Sequence, residues 1–302
     1  MEEFYLQSNG GGRLHCVCWR PEGEPRAVVQ IIHGIAEHIG RYDHFARALA
    51  SNGYLVVGED HMGHGGSIDN DMGCFHGGWM TAVSDIRLLK DHVQAECAKP
   101  YCMLGHSMGS FLLRTYLYTY PGTVDAAIIS GTGWEAPAKL KAGLLACRVE
   151  EKRLGETQPS PLLTGMMFGA YTKPFEPVRT KNDWISSVEA VVDAYTADPL
   201  SGFSPSVGLC RDMLTGMLMN ERPENLKKMQ TSLPVLFVSG EKDPVGNMGK
   251  GVLACVDAFK RACVRDITIR LYPNGRHEML NEVNRDAVYA DILDWLGQKI
   301  PE

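Results

Sequence analysis

The sequence has no hydrophobic run long enough to cross a membrane. Its most apolar segments, such as residues 234–238, have the length of a strand, whereas a transmembrane helix needs about 20 apolar residues. The first residues are acidic and contain no apolar signal core, so we expect that the protein is not secreted. Dense clusters of lysine and arginine are also missing, and the formal net charge is −6. A nucleic-acid-binding function is therefore excluded, because contact with a phosphate backbone requires clustered cations.

Closely spaced cysteines are missing as well. The nine cysteines are an odd number, scattered between Cys16 and Cys263, without the spacing of metal-binding or disulfide-rich sequences. Cys16 and Cys18 alternate with larger residues along a predicted strand, so both are expected on one buried face. This pattern predicts free thiols in a reducing, cytoplasmic compartment; metal binding or redox chemistry is the alternative.

The composition is that of an ordinary globular protein. Of the 302 residues, 44% are hydrophobic and 22% are charged, so the chain can bury enough surface to offset the entropy of ordering. A hairpin is predicted from residues 3–7 and 13–19. Segments with strand character then alternate with segments of helical periodicity from residue 27 to 130, and again from 234 to 296. The alternation predicts a mostly parallel sheet covered by helices on both sides.

The alternation stops between residues 133 and 232. This stretch contains loops punctuated by proline and apolar helical segments rich in methionine. The simplest interpretation is one α/β domain formed by residues 1–132 and 233–302, with a mainly helical cap inserted at 133–232. The methionines of the cap are interpreted either as core filling or as a flexible surface for an acyl chain.

The strongest motif is Gly105-His106-Ser107-Met108-Gly109, which falls where a predicted strand meets a predicted helix. A serine in this context is typical of a nucleophile that is held on a tight turn with its hydroxyl exposed. The amino-terminus of the following helix favours negative charge beside the serine. Ser107 is therefore the candidate nucleophile, and a glycine-rich turn with an uninvolved serine is the alternative.

A serine hydroxyl needs a base that removes its proton and an acid that orients the base. Two late predicted strands are followed by loops that contain such groups, Asp243 after the first and His277 after the second. Of the ten histidines, only His277 comes after Ser107 in the sequence. We predict Asp243 and His277 as the catalytic partners, and Glu241 in the same turn as Asp243 is the alternative acid.

The oxyanion of an acyl-transfer reaction requires backbone N–H donors. Met108, directly after the serine, is predicted to supply one donor. The turn after the strand at residues 27–32 is predicted to supply the second, and Ile35 is the expected donor because it follows Gly34, whose backbone can turn inward.

The loop at residues 60–67 combines Asp60, His61 and His64 with several glycines. Its spacing is that of a glycine-rich loop rather than that of ligands on one face of a helix, so we interpret it as a structural loop beside the site. A metal ion is the alternative there. The sequence predicts neither a metal nor another cofactor.

These features resemble the monoacylglycerol lipase and lysophospholipase branch of the α/β-hydrolases. The segments that carry the similarity are 33–42, 60–65, 105–109, 192–200 and 271–278. The resemblance covers nearly the whole chain and implies the α/β-hydrolase fold, with a cap that shapes an acyl pocket above the serine. It also implies a triad of Ser107, Asp243 and His277 and an oxyanion hole formed by the N–H groups of Ile35 and Met108.

The residues and the resemblance together predict a serine carboxylic-ester hydrolase that acts through an acyl-enzyme without a cofactor. The expected substrates are monoacylglycerols, lysophospholipids or similar single-chain lipid esters, and transient contact with a membrane is compatible with the composition. The alternatives are a short-chain or aryl-ester esterase with the same triad, a serine peptidase, an acyltransferase, and a catalytically silent binding protein with the same fold. Ser110 stands where these lipases usually continue with glycine.

Overall fold

The computed structural model describes residues 1–69 and 71–300. Eight strands among these residues form one sheet, and they are β1 (Glu2–Gln7), β2 (Arg13–Trp19), β3 (Ala27–Ile32), β4 (Tyr54–Glu59), β5 (Tyr101–His106), β6 (Ala126–Ser130), β7 (Val235–Gly240) and β8 (Ile267–Tyr272). Their order in the sheet is β1-β2-β4-β3-β5-β6-β7-β8. The β1–β2 and β2–β4 pairs are antiparallel, and the other pairs are parallel. The predicted architecture of a mostly parallel sheet is therefore confirmed.

The same residues contain ten α-helices, which are α1 (Asp43–Ala50), α2 (Trp79–Glu96), α3 (Met108–Thr119), α4 (Pro137–Leu154), α5 (Pro161–Phe168), α6 (Glu189–Ala197), α7 (Val207–Asn220), α8 (Pro223–Leu226), α9 (Lys250–Arg261) and α10 (Arg285–Lys299). Helices α1 and α10 pack on one face of the sheet, and α2, α3 and α9 pack on the other. The inner strands β3 to β7 are buried along their whole length, as expected for parallel strands between two helical layers. In the described part of the chain, we find no helix with the length and apolarity needed to span a bilayer.

The sequence predicts strand β4 at residues 54–57, and the structure extends it to Glu59. Glycine and glutamate are poor strand formers, but tertiary contacts override this preference. The buried Glu59 carboxylate accepts a hydrogen bond from the Gln30 side chain at 3.1 Å. Gly58 lies against Ile39, where a Cβ atom would collide. The sequence predicts strand β5 at residues 101–104, and the structure extends it to His106, the residue before the candidate nucleophile.

The insertion between β6 and β7 contains α4 to α8, and α7 is bound directly to the core. The Asn220 side chain donates to the Phe111 carbonyl at 2.8 Å and accepts from the Thr115 hydroxyl at 2.9 Å. Gly216 allows the Trp79 ring to approach α7, because any Cβ there would overlap the indole. One wall of the insertion is thus fixed to α2 and α3. The predicted boundaries of the cap, residues 133–232, stay a prediction.

The cysteines agree with the prediction of free thiols. All nine are unpaired in the structure, and Cys16 and Cys18 are buried in the same core layer. The cytoplasmic location that we inferred from them stays a prediction.

The order of the strands determines where a ligand can bind. From β3 the chain continues to β4 on one side, and β5 lies on the other side of β3 and leads to β6. Such a switch point opens a crevice at the carboxyl ends of the two central strands. Ile35 follows β3 and Ser107 follows β5, so both candidate residues lie at this crevice.

Candidate active site

Ser107 occupies a strained turn between β5 and α3, with φ of 54° and ψ of −121°. A positive φ is unfavourable for a residue with a side chain and persists only where the surroundings impose it. The surroundings here are two glycines, since a Cβ at Gly109 would collide with the Ile32 carbonyl and one at Gly105 with the Gly109 carbonyl. The Ser110 hydroxyl also donates to the Ser107 carbonyl at 2.6 Å. The turn places Ser107 at the amino-terminus of α3.

Asp243 and His277 lie together at the adjacent ends of β7 and β8. The His277 Nδ1 atom is 3.0 Å from the Asp243 Oδ2 atom, and Asp243 is fully buried. The other carboxylate oxygen accepts the N–H of Val245 at 2.9 Å. Glu241, the alternative acid, is exposed to solvent. A proton on Nδ1 that is donated to this carboxylate leaves Nε2 as the free base of the imidazole.

Two opposing effects act on the protonation of His277. Burial lowers the pKa of its imidazole, but the charge and hydrogen bond of Asp243 outweigh burial, so the pKa lies above its usual value. The neighbouring His106 ring lies 4.7 Å from the His277 ring. Burial lowers the pKa of His106 to about 3, so His106 stays neutral and adds no full charge beside the imidazole.

The loop after β3 approaches Ser107 closely, since a Cβ at Gly34 would lie 3.0 Å from the Ser107 Cβ. The Gly34 N–H donates to Glu37 at 2.6 Å. The Ala36 carbonyl accepts the Tyr195 hydroxyl and the Gly202 N–H, both at 2.9 Å. Ala36 itself has a φ of 54°. The conformation of this loop is thus fixed by the hydrogen bond between Gly34 and Glu37 within it and by the hydrogen bonds of Ala36 to the insertion.

Arg41 connects the loop after β3 with the loop that carries His277. Its guanidinium donates to Glu37 at 2.7 Å and to both oxygens of Glu278 at 2.7 and 2.8 Å. Burial opposes the ionisation of Glu278, but Arg41 outweighs it and lowers the pKa of this carboxyl to about 2. The Tyr195 ring of the insertion covers the guanidinium at 4.7 Å. Three segments around the site are therefore held by one buried cation.

Two cavities meet at Ser107. The methionine-lined cavity has a volume of about 440 Å³, and its lining includes Met108, Met166, Met167, Met213, Met217 and Met248. The histidine-side cavity has a volume of about 300 Å³, and its lining includes His277, Glu37, Lys181, Asn182 and Tyr195. Both cavities are lined by Ile35, Ser107, Phe168 and Trp184.

The loop at residues 60–67 has a structural explanation. The Asp60 carboxylate accepts the N–H groups of Ile39 at 2.7 Å and Gly66 at 2.8 Å. Burial lowers the pKa of His61 to about 3 and that of His64 to about 4, so both rings are neutral. Within residues 1–69 and 71–300, no group of three or more histidine, cysteine and acidic side chains could hold a metal ion.

The roles of Arg41 and Trp184 are not predicted from the sequence. Glu37 and Arg41 lie inside a segment that carries the family resemblance, but their spacing alone does not identify a partner 237 residues away. Trp184 lies outside the segments that carry the resemblance. Only the folded chain brings these residues to the site.

The fold defines the chain as an α/β-hydrolase. A family model described as serine aminopeptidase, S33, matches residues 23–284, and the chain belongs to that family. The monoacylglycerol lipase of Mycolicibacterium smegmatis is 32% identical over 95% of this chain and 94% of that protein. The human monoglyceride lipase is 26% identical over 98% of this chain and 90% of that protein.

A solved structure agrees with these relatives. The thermostable carboxyl esterase from Bacillus coagulans, in complex with glycerol, matches with a TM-score of 0.90 and 28% identity, covering 99% of this chain and 98% of that chain. The predicted likeness to monoacylglycerol lipases is confirmed, and the chain is a carboxylic ester hydrolase.

The Arg41 network generates a prediction about stability. Replacing Arg41 with methionine leaves two buried carboxylates without their cation, which we expect to reduce the free energy of unfolding by about 3–5 kcal/mol at neutral pH. Burial already raises the pKa of Glu37 in the presence of Arg41. Without the cation this pKa rises further and that of Glu278 rises above its value in the unfolded chain, so the folded variant binds protons more readily and its deficit shrinks as the pH falls from 8 to about 5. Urea unfolding across this pH range measures the deficit.

Arg47→Met is the matched control, because Arg47 forms an exposed ion pair with Asp43 and such pairs contribute little to stability. Its unfolding midpoint should stay close to that of the unsubstituted protein. A deficit in Arg41→Met that is the same at every pH would contradict the role given to the buried charges.

Proposed function

We propose that the protein is a serine hydrolase whose catalytic triad is Ser107, Asp243 and His277. The observation that carries the proposal is the strained serine at the junction of two cavities, one of which is also lined by a histidine bound to a buried carboxylate. The proposed oxyanion hole consists of the N–H groups of Ile35 and Met108, two residues that line the methionine-lined cavity together with Ser107.

The reaction proceeds in two halves. His277 takes the proton of the Ser107 hydroxyl, whose oxygen bonds to the ester carbonyl, and the resulting oxyanion accepts the two backbone N–H groups. The imidazolium, stabilised by Asp243, gives its proton to the alcohol oxygen as the carbon–oxygen bond breaks, which leaves an acyl-enzyme. Water then loses a proton to His277 and its oxygen bonds to the acyl carbonyl carbon. The bond between this carbon and the Ser107 oxygen breaks, the free acid leaves, and the imidazolium returns its proton to the serine oxygen.

We propose single-chain lipid esters, such as monoacylglycerols or lysophospholipids, as substrates. The acyl chain occupies the methionine-lined cavity, since flexible thioether side chains adapt to an apolar chain. The alcohol occupies the histidine-side cavity, because His277 must reach the leaving oxygen to protonate it. Relatives named as monoacylglycerol lipases and a similar esterase in complex with glycerol support this substrate class.

Residues 133–232 are proposed to form the cap, and the outer face of α4 is proposed to contact lipid. Lys141, Leu145, Arg148, Val149 and Lys152 recur at helical spacing on this helix, and Leu145 and Val149 are 61% and 57% exposed. Exposed aliphatic side chains flanked by cations are typical of helices that lie on anionic membranes. The opposite face of α4 lines the methionine-lined cavity, so a bound surface would lie close to the route of the acyl chain.

Replacement of the nucleophile tests the triad. We expect Ser107→Ala to lose several orders of magnitude in kcat on a monoacylglycerol and to keep its circular dichroism spectrum, because the reaction loses its covalent step. Labelling by a fluorophosphonate probe should disappear in the same variant. Hydrolysis by Ser107→Ala at the rate of the unsubstituted enzyme would refute the proposal.

A chain-length series tests the substrate class. Met217→Trp fills part of the methionine-lined cavity, so kcat/KM should fall at least about tenfold for long acyl chains and change little for butyrate esters. Met80→Trp makes the same exchange at an exposed position of α2 and should leave the series unchanged. Activity confined to the shortest acyl chains in the unsubstituted enzyme would favour the short-chain esterase instead.

Vesicle sedimentation tests the lipid contact of α4. We expect binding to vesicles that contain phosphatidylglycerol to exceed binding to pure phosphatidylcholine, because each basic residue near an anionic surface contributes about 1 kcal/mol. The double variant Leu145→Glu, Val149→Glu should lose this binding while hydrolysing a water-soluble butyrate ester normally. Leu253→Glu, at an exposed position of α9, is the control. Equal sedimentation of all variants would rule out this docking face.

A further inference from the structure

Trp184 of the insertion lies directly against the imidazole of His277. The centroids of the two rings are 5.0 Å apart with an angle of 40° between their planes. The indole is itself held by aromatic neighbours, the Tyr171 ring at 4.9 Å and the nearly parallel Phe168 ring at 6.4 Å. The indole therefore has a defined position on the proposed catalytic base.

Hydrogen bonds on both sides of Trp184 fix this contact. The Arg276 guanidinium, next to His277 in sequence, donates to the carbonyls of Asp183 and Ser186, the latter at 3.1 Å. On the other side, the N–H of Glu278 donates to the carbonyl of Ile185 at 2.7 Å. The residues that flank the histidine are thus bound to the residues that flank the tryptophan, which aligns the two rings.

We propose that Trp184 is a positioning residue for catalysis: its indole holds the His277 imidazole in the orientation that reaches Ser107 and excludes water from the ring. The inference rests on the proposed function, in which His277 is the base. Trp184, a residue of the insertion, would then orient the catalytic base in addition to lining the two cavities.

Several polar or charged groups also lie near the imidazole. Asp243 contacts Nδ1, the neutral His106 ring packs nearby, and Arg41 donates hydrogen bonds to both Glu37 and Glu278. All of these groups remain when the indole is removed, whereas the water that enters in its place stabilises the protonated ring. Since burial lowers the pKa of His277, loss of the indole should raise it further.

A raised pKa of His277 should move the acidic limb of the pH profile to higher pH. The base must be neutral to accept the serine proton, so kcat/KM falls at pH values below the pKa of His277 in the free enzyme. In Trp184→Ala the acidic limb of the pH profile should move upward by about half a unit or more. The rate on the alkaline plateau should also fall about tenfold, since the ring is less well oriented. Trp184→Phe should restore part of both effects.

The pKa of His277 and the KM of the reaction distinguish a positioning role of Trp184 from a role in lining the cavities. The NMR signals of the His277 ring carbons, followed as a function of pH, report the pKa of His277 without substrate. These signals are assigned by their absence in His277→Asn. Met217→Ala changes the methionine-lined cavity and should alter KM with no change in this titration. Trp184→Phe carries the test if Trp184→Ala does not fold by circular dichroism.

The proposal stands if the His277 titration and the acidic limb shift upward together in the Trp184 variants and not in Met217→Ala. It is overturned if the titration midpoint in the folded Trp184 variants equals that of the unsubstituted enzyme, or if the variants change KM alone. Full hydrolysis by His277→Asn would instead overturn the proposed function. The two failures are therefore distinguishable.

Discussion

The reversal of the chain at Ser107 is the constraint on which the rest of the site depends. The turn forms only because α3 begins against the carbonyl of Ile32, an approach that glycine at position 109 permits and any side chain there would prevent. The same approach brings the loop after β3 next to the serine and exposes the first N–H groups of α3. The positions of the proposed nucleophile and of the proposed oxyanion donors thus follow from a single backbone packing contact, and the cavities are arranged around that contact.

The buried titratable groups near the site are either paired with an opposite charge or held in their neutral form. The Arg41 cation compensates two buried carboxylates and joins the loops of the proposed oxyanion hole and of His277. The buried histidines His61, His64 and His106 are kept neutral by burial. His277 differs because Asp243 raises its pKa against the effect of burial. Of these four imidazoles, that of His277 therefore takes up a proton most readily.

The sequence predicts much of this arrangement, and the remainder depends on contacts between distant segments. The strands of the sheet and the helices that cover it were predicted within about three residues, because hydrophobic periodicity is a local property. Asp243 and His277 were selected by their positions after late strands, and the structure brings them together; their catalytic roles stay a proposal. The contacts of Trp184 and Arg41 depend on segments that are distant in the sequence. Tertiary contacts of this kind have no short-range signal.

The attachment of α7 to the core has a consequence for how the enzyme can diversify. Asn220 and Gly216 tie this wall of the methionine-lined cavity to α2 and α3, while α4 and α5 join it through a small cluster of their own around Cys147 and Leu163. Exchanges in those two outer helices can resize the cavity without disturbing the sheet whose strand ends carry the proposed triad. Selectivity and chemistry are therefore separable under mutation, and related enzymes can diverge in the molecules they accept while the reaction is inherited unchanged.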